Sequence, residues 1–331
     1  MEWQKISASR LSRRAMLGAT AALAAGPALA EECRLGPAPH DKGARVFMEM
    51  DQAELDASYN QLSYEPLLPQ VSQRLASNSE AMRARIGAPE RHAYGPSSVE
   101  GLDIYRTKEN NAPIFVFIHG GAWLGGKAKD YGYPAEMFVN AGVHYVAVDF
   151  IAIKEADGDL GVMAKQVRSA VAWVHNNATK FGGDPARLYV GGHSSGGHLC
   201  GVVMVTDWQS DFGLPPDIIK GGLCMSGMYE MKPVALSARR NNVKFTDAMQ
   251  DSMSAIRHID RLHAPITVTY GTFETPDFQR QSRDFAAAVK AAGKPVKLIE
   301  APNYAHLEMC ESLGNPYGAN GLAALAMMEL A

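Results

Sequence analysis

Between Leu188 and Leu199 the chain reads LYVGGHSSGGHL. An apolar run stops at paired glycines, two serines stand between that pair and the next, and small and apolar residues follow. A strand, a tight turn and a helix account for all of these features in that order. Gly192-His193-Ser194-Ser195-Gly196 fits the pattern G-x-S-x-G. Its flanking glycines permit a turn so sharp that a side chain at either place would clash. Only one frame works, because a shift by one residue puts His193 where glycine is needed. Ser194 is therefore the candidate nucleophile, raised to the top of a sheet. Ser195 follows it, and its backbone N–H, rather than its hydroxyl, is the group expected near the reacting atoms.

The rest of the chain supplies a sheet for such a turn. Short β-branched runs at 102–107, 114–120, 144–150, 188–192, 218–227, 266–271 and 296–302 alternate with helical stretches near 160–182, 195 onward, 277–292 and 318–330. This alternation predicts an α/β fold, a mostly parallel β-sheet with helices on both faces. Chemistry in such sheets gathers at the carboxyl ends of the strands. The main domain is expected over residues 91–331. Residues 31–90 are mixed and helical in parts, and they read as a small N-terminal helical cap.

Three further positions complete a reaction centre. His119-Gly120-Gly121-Ala122-Trp123 follows the buried run 114–118. Gly120 and Gly121 can bring bare backbone N–H groups close to an oxyanion, with Ser195 supplying a third donor. A nucleophilic serine needs a base, and the base an orienting acid, in the chain order Ser, acid, His. His198 sits on the nucleophile's own helix, and His258 and His263 precede the run 266–271. His306, in a loop after the last predicted strand, is left as the base. The acid should leave the strand 266–271, where Glu274 and Asp277 both qualify. Asp149, at the end of an earlier strand, reads as a structural anchor. Trp123, Trp208 and Tyr229 are candidates for the pocket wall or for ordinary core or surface packing, and His198 reads as structural or pocket-lining. A metal site is not expected, since His119, His193 and His198 lack ligand spacing and no cysteine pair has CxxC spacing. The chemistry calls for no cofactor.

The stretches FIHGGAWLGGKAKDY, AVAWVHNNATKFGGDPARLYVGGHSSGGHL, SGMYEMKPV, TPDFQRQSRDFAAAVKAAG and NYAHLEM give the chain a family likeness. They resemble the α/β-hydrolase fold, close to the hormone-sensitive-lipase-like esterases and in particular to the arylformamidase (kynurenine formamidase) branch. The resemblance places Ser194 on the family's nucleophile and His306 on its base. It puts the acid three residues past the strand-ending Gly271, at Glu274, where aspartate is common. Ala122 stands where an aromatic residue is frequent, which alters the pocket wall. Pro276 suits the first turn of a helix, which gives Asp277 a helix-terminal role and leaves Glu274 on the preceding loop. The resulting expectation is a serine hydrolase of carboxylic esters or small amides. The first alternative is an arylformamidase acting on N-formylkynurenine or related aryl formamides. An alternative of another class is a catalytically dead hydrolase fold that only binds.

The first thirty residues point to export. Lys5, Arg10, Arg13 and Arg14 precede an alanine-rich apolar stretch that ends in Ala28-Leu29-Ala30. This predicts a twin-arginine-like signal cut after Ala30, and a periplasmic or secreted protein. The apolar stretch is shorter than the roughly 20 residues of a membrane span, so no stable membrane anchor is expected. Removing this segment, with one acidic and four basic side chains, takes the formal net charge from −3 to about −6. No basic run is present, which argues against a nucleic-acid partner. The expected partner is a small-molecule ester or amide, and homo-oligomerisation is left open. Cys33, Cys200, Cys224 and Cys310 remain after cleavage. Cys200 and Cys224, in apolar surroundings, are expected to be buried thiols.

Overall fold

The computed structural model describes residue 36 and residues 38–331. The expected export signal lies outside these residues. Eight strands form one sheet: β1 (Glu90–Ala93), β2 (Gly101–Tyr105), β3 (Ala112–Ile118), β4 (His144–Val148), β5 (Gly183–His193), β6 (Ile219–Met225), β7 (Ile266–Gly271) and β8 (Val296–Ala301). Their spatial order is β1-β2-β4-β3-β5-β6-β7-β8. The pairs β1–β2 and β2–β4 are antiparallel and the others are parallel. From β3 the chain passes to β4 on one side and then returns to β5 on the other. The carboxyl ends of β3 and β5 therefore flank the point where strand order reverses, the usual place for a site in an open α/β sheet.

Eleven helices accompany the strands among the described residues. They are α1 (Gln52–Ser58), α2 (Leu68–Ile86), α3 (Ala135–Asn140), α4 (Leu160–Asn177), α5 (Ser195–Met204), α6 (Trp208–Phe212), α7 (Met231–Leu236), α8 (Asp247–Ser252), α9 (Pro276–Ala291), α10 (His306–Glu311) and α11 (Ala319–Met327). None is long and apolar enough to cross a membrane. Every residue of β3 is buried, and its side chains alternate between two cores. Ile114, Val116 and Ile118 join one core with residues of α4 and α5. Phe115 and Phe117 enter the other, where Phe115 stacks on Phe138 at a ring separation of 4.5 Å. Helices on both faces exclude water from the strand, which explains why its sequence is uniformly apolar. Helix α4 buries Leu160, Met163, Val167, Val171 and Val174 along one stripe, and Asp159 caps its start by accepting from the Gly161 N–H.

The cap predicted over 31–90 contains α1 and α2, and β1 begins at Glu90. Asp51 and Glu54 form a reciprocal capping box at the start of α1. Several hydrogen bonds fasten this segment near the later loops. Thr275 Oγ1 donates to the Ser58 carbonyl at 2.7 Å, and the Tyr59 hydroxyl bonds Asp277. The Leu307 N–H donates to Glu65 Oε2 at 3.0 Å. Asp149 holds the end of β4 as expected, accepting from the Ala128 N–H at 2.6 Å and pairing with Arg91.

A close backbone approach lies where α5 meets β3. A Cβ added at Gly196 would stand 2.1 Å from the Ile118 carbonyl oxygen and 2.4 Å from that of His119. Both obstacles are backbone and cannot rotate away. Gly196→Ala is expected to lower the melting temperature sharply, by several degrees or more. Gly125→Ala, where an added Cβ meets nothing within 4 Å, should melt within about 2 °C of the parent. Parallel thermal melts compare the two.

Candidate active site

Ser194 is the single residue between β5 and α5, with φ 60° and ψ −123°. A non-glycine residue in that region stores about 1–3 kcal/mol of strain and persists only where its surroundings fix it. Here they do. The Ser194 N–H donates to the Met225 carbonyl at 2.9 Å, and the Ser194 carbonyl accepts from the His198 N–H at 2.9 Å. Gly192 and Gly196 face each other so closely that a Cβ at Gly192 would meet the Gly196 oxygen at 2.1 Å.

His306 opens α10 and brings three predicted residues into one line. Its Nε2 accepts from the Ser194 hydroxyl at 2.8 Å, and its Nδ1–H donates to Glu274 Oε2 at 3.1 Å. The other Glu274 oxygen accepts from Ser226 Oγ at 2.6 Å and from the Gly271 N–H at 2.7 Å. Loss of water pushes the Glu274 carboxyl up to about 7, and those two donors favour its ionised form. Burial lowers His306 to about 3, and the positive charge of Arg239 acts in the same direction. The base is therefore neutral at physiological pH and free to take a proton. An ionised Glu274 beside it would stabilise an imidazolium formed there.

The glycine loop lies against Ser194. Gly121, Ala122 and Trp123 all have positive φ, at 113°, 58° and 63°. The Trp123 N–H donates to Ser195 Oγ at 3.2 Å, which fastens this strained loop to the start of α5. Among the described residues, the N–H groups of Gly120, Gly121 and Ser195 find no backbone acceptor, which leaves them open to an incoming oxygen. The Ser195 hydroxyl thus has a supporting bond of its own, beyond the backbone donor foreseen from sequence.

The candidates for the pocket wall fall on its core side. Trp123, His198 and Tyr229 are each no more than 1% exposed. Trp123 Nε1 donates to His198 Nδ1 at 3.2 Å, and His198 Nε2 donates to the Met253 carbonyl at 3.0 Å. Tyr229 stacks on Phe285 at 4.3 Å. All three support the site from within the core and do not line its open side. Cys200, Cys224 and Cys310 are free and buried; Cys33 lies outside the described residues.

Two supporting residues were not foreseen from sequence. Ser226 holds the acid, and His193 Nε2 donates to the His306 carbonyl at 2.8 Å. Burial lowers His193 to about 3, so it serves as a neutral donor. Asp277 is also buried, and it pairs with Arg280 at 2.7 Å and with the Tyr59 hydroxyl, facing the cap instead of His306.

This geometry separates the two acids experimentally. Glu274→Gln should reduce kcat at least about a hundredfold, against about 10⁴ for the equivalent change in another triad enzyme, and shift melting little. Asp277→Asn should keep most turnover and lose about 1.5–3 kcal/mol of stability, because buried charge-assisted bonds are weakened. Steady-state kinetics with paired thermal melts distinguish these outcomes; the reverse pattern would move the acid to Asp277.

Comparison with known proteins agrees with this architecture. The family BD-FAE matches residues 102–216. The kynurenine formamidase of Salmo salar is 32% identical over 229 residues, covering 66% of this chain and 75% of that protein. Esterase LipC of Mycobacterium tuberculosis is 26% identical over 238 residues, covering 64% of this chain and 58% of that protein. A crystal structure from Silicibacter sp. tm1040, described as a candidate thioesterase, superposes with a TM-score of 0.72 at 21% identity, over 83% of this chain and 99% of that one. That likeness extends to the sheet and its helices. The chain is a hydrolase of ester- or amide-like substrates, and it belongs to the kynurenine formamidase family of α/β hydrolases.

Proposed function

We propose that the protein is an exported serine hydrolase that cleaves carboxylic esters or small amides through an acyl-enzyme on Ser194. The observation that carries this reading is the His306 ring, bonded at one nitrogen to Ser194 and at the other to Glu274. His306 takes the Ser194 proton as the hydroxyl oxygen attacks the substrate carbonyl. The oxyanion that forms is held by the N–H groups of Gly120, Gly121 and Ser195. His306 then gives its proton to the departing alcohol or amine, leaving an ester on Ser194. Water activated by the same imidazole hydrolyses that ester and restores the serine.

A second reading, hydrolysis of aryl formamides, is favoured by the identity with a kynurenine formamidase. The first reading takes in general ester chemistry because the predicted signal directs the protein away from the cytoplasm, whereas N-formylkynurenine is an intracellular metabolite. A panel of acyl-chain lengths beside aryl formamides ranks the two readings. Intact-mass analysis of protein recovered from cells and treated with a fluorophosphonate tests the broader proposal in one measurement. The expected species is a chain beginning at Glu31 with one phosphonyl group on Ser194, and no label on Ser194→Ala. An unlabelled parent chain would instead indicate a fold that only binds, and a chain that retains residues 1–30 would contradict export.

The acid limb of the pH profile follows from the buried pair. The active state has Glu274 ionised and His306 neutral, so uptake of one proton by the pair abolishes activity. Activity should fall as pH falls, with one apparent value for the pair and not one for each residue. Ser226→Ala removes a donor that favours the ionised carboxylate, and so it should raise that value. The acid limb of kcat/KM is expected to move to higher pH in this variant. An unmoved limb would show that Ser226 leaves the titration alone.

A further inference from the structure

A cavity of about 640 Å³ opens between the cap and the turn that follows α7. Tyr59, Asn60 and Ser63 form its wall on the cap side, and Arg239, Asn241 and Asn242 form the other. Its size is within the range of small-molecule sites. Arg239 lies in a 3-10 turn, and its Nη2 donates to the Tyr59 carbonyl at 2.7 Å. Among the described residues the guanidinium makes no ion pair with a carboxylate. The side chains of Asn60, Ser63, Asn241 and Asn242 likewise make no hydrogen bond with other described residues. Asp56, an acid in the wall, accepts through Oδ1 from Gln52 Nε2 at 2.9 Å and from the Ala238 N–H at 2.6 Å. His40 at the rim is bonded to Asp51. Among the described residues the cavity therefore presents a partly buried cation and four uncommitted polar side chains, with one acid held through a single oxygen.

A partly buried guanidinium without a counter-charge is unfavourable, and burial lowers the affinity of Arg239 for its proton. A bound carboxylate would supply both the missing charge and acceptors in the geometry that guanidinium fits best. The cavity also neighbours the reaction centre. The field of Arg239 reaches His306. Tyr59, which holds Arg239 by its carbonyl, bonds through its hydroxyl to Asp277. The next residue, Phe278, packs edge-on against the His306 ring at 5.1 Å.

We propose that this cavity binds a carboxylate carried by the substrate, with Arg239 as the recognising group, so that anionic esters or amides are selected over neutral ones. The selection of substrates rests on the serine-hydrolase reading; the binding of a carboxylate does not. Arg239 is a specificity-determining residue, and the scissile carbonyl lies at the far end of the same molecule, at Ser194.

Calorimetric titration of 3-(4-hydroxyphenyl)propanoate and of its methyl ester into the full chain reads the cavity without catalysis. The acid is expected to bind at least about tenfold more tightly than the ester. Arg239→Met should remove that difference, and Arg239→Lys should keep part of it, because a point charge without the planar fork is a poorer partner. Melting curves of both variants establish that they are folded. In kinetics, the ratio of kcat/KM for 3-(4-acetoxyphenyl)propanoate over its methyl ester should exceed about ten in the parent and approach one in Arg239→Met. Equal binding of acid and ester by the parent, or a preference that survives in Arg239→Met, would overturn the proposal. Carboxylate binding in a chain that no fluorophosphonate labels would instead refute the serine-hydrolase reading and leave the cavity's assignment standing.

Discussion

The contact between the Gly196 backbone and the end of β3 is the constraint on which the site depends. Because α5 can approach the Ile118 and His119 carbonyls so closely, Ser194 and the glycine loop occupy one small volume. Both segments are strained, with positive φ at Ser194 on one side and at Ala122 and Trp123 on the other. Each stabilises the other through the bond from the Trp123 N–H to Ser195 Oγ. Strain of this kind is tolerated because buried strands lie beneath it, and it leaves the Ser194 hydroxyl and the neighbouring N–H groups fixed in place.

A second layer of polar residues makes the buried charges workable. Glu274 is fully enclosed and would be neutral in an apolar pocket, but Ser226 and the Gly271 N–H supply donors that its ionised form needs. His193 fixes His306 from behind without bringing a second charge, since burial keeps it neutral. Trp123 and His198 belong to the same layer: their mutual bond, continued to the Met253 carbonyl, anchors the glycine loop in the core.

Much of this was legible in the sequence, for physical reasons that differ from residue to residue. Strands β3 and β7 are buried on both faces, and continuous apolar runs announce them. Strand β1 was not foreseen because Glu90-Arg91-His92-Ala93 is a polar edge strand, placed by pairing with β2 and by the ion pairs of Arg91. Ser194 and His306 could be found because chain order and strand ends restrict where each can stand; these left Glu274 and Asp277 open, and the family resemblance and Pro276 singled out Glu274. Ser226 and His193 could not, since their partners are 48 and 113 residues away and His193 fills a motif position open to any residue. Aromatic character gave no sign of exposure, so Trp123 and Tyr229 read as pocket or core from sequence alone, and they are found in the core. Arg239 lies in a turn without periodicity, and only the folded chain reveals that its charge finds no carboxylate partner among the described residues.

The fastening of the cap bears on how substrate enters. Ser58 is bonded to Thr275, next to the acid, Tyr59 to Asp277, and Glu65 to the backbone just after the base. A hinged cap swinging away from the sheet would pull on the loops that carry Glu274 and His306, and the relay would lose its alignment with every opening. Swinging the cap outward therefore costs these three bonds together, and a path to Ser194 that leaves the cap seated avoids that cost.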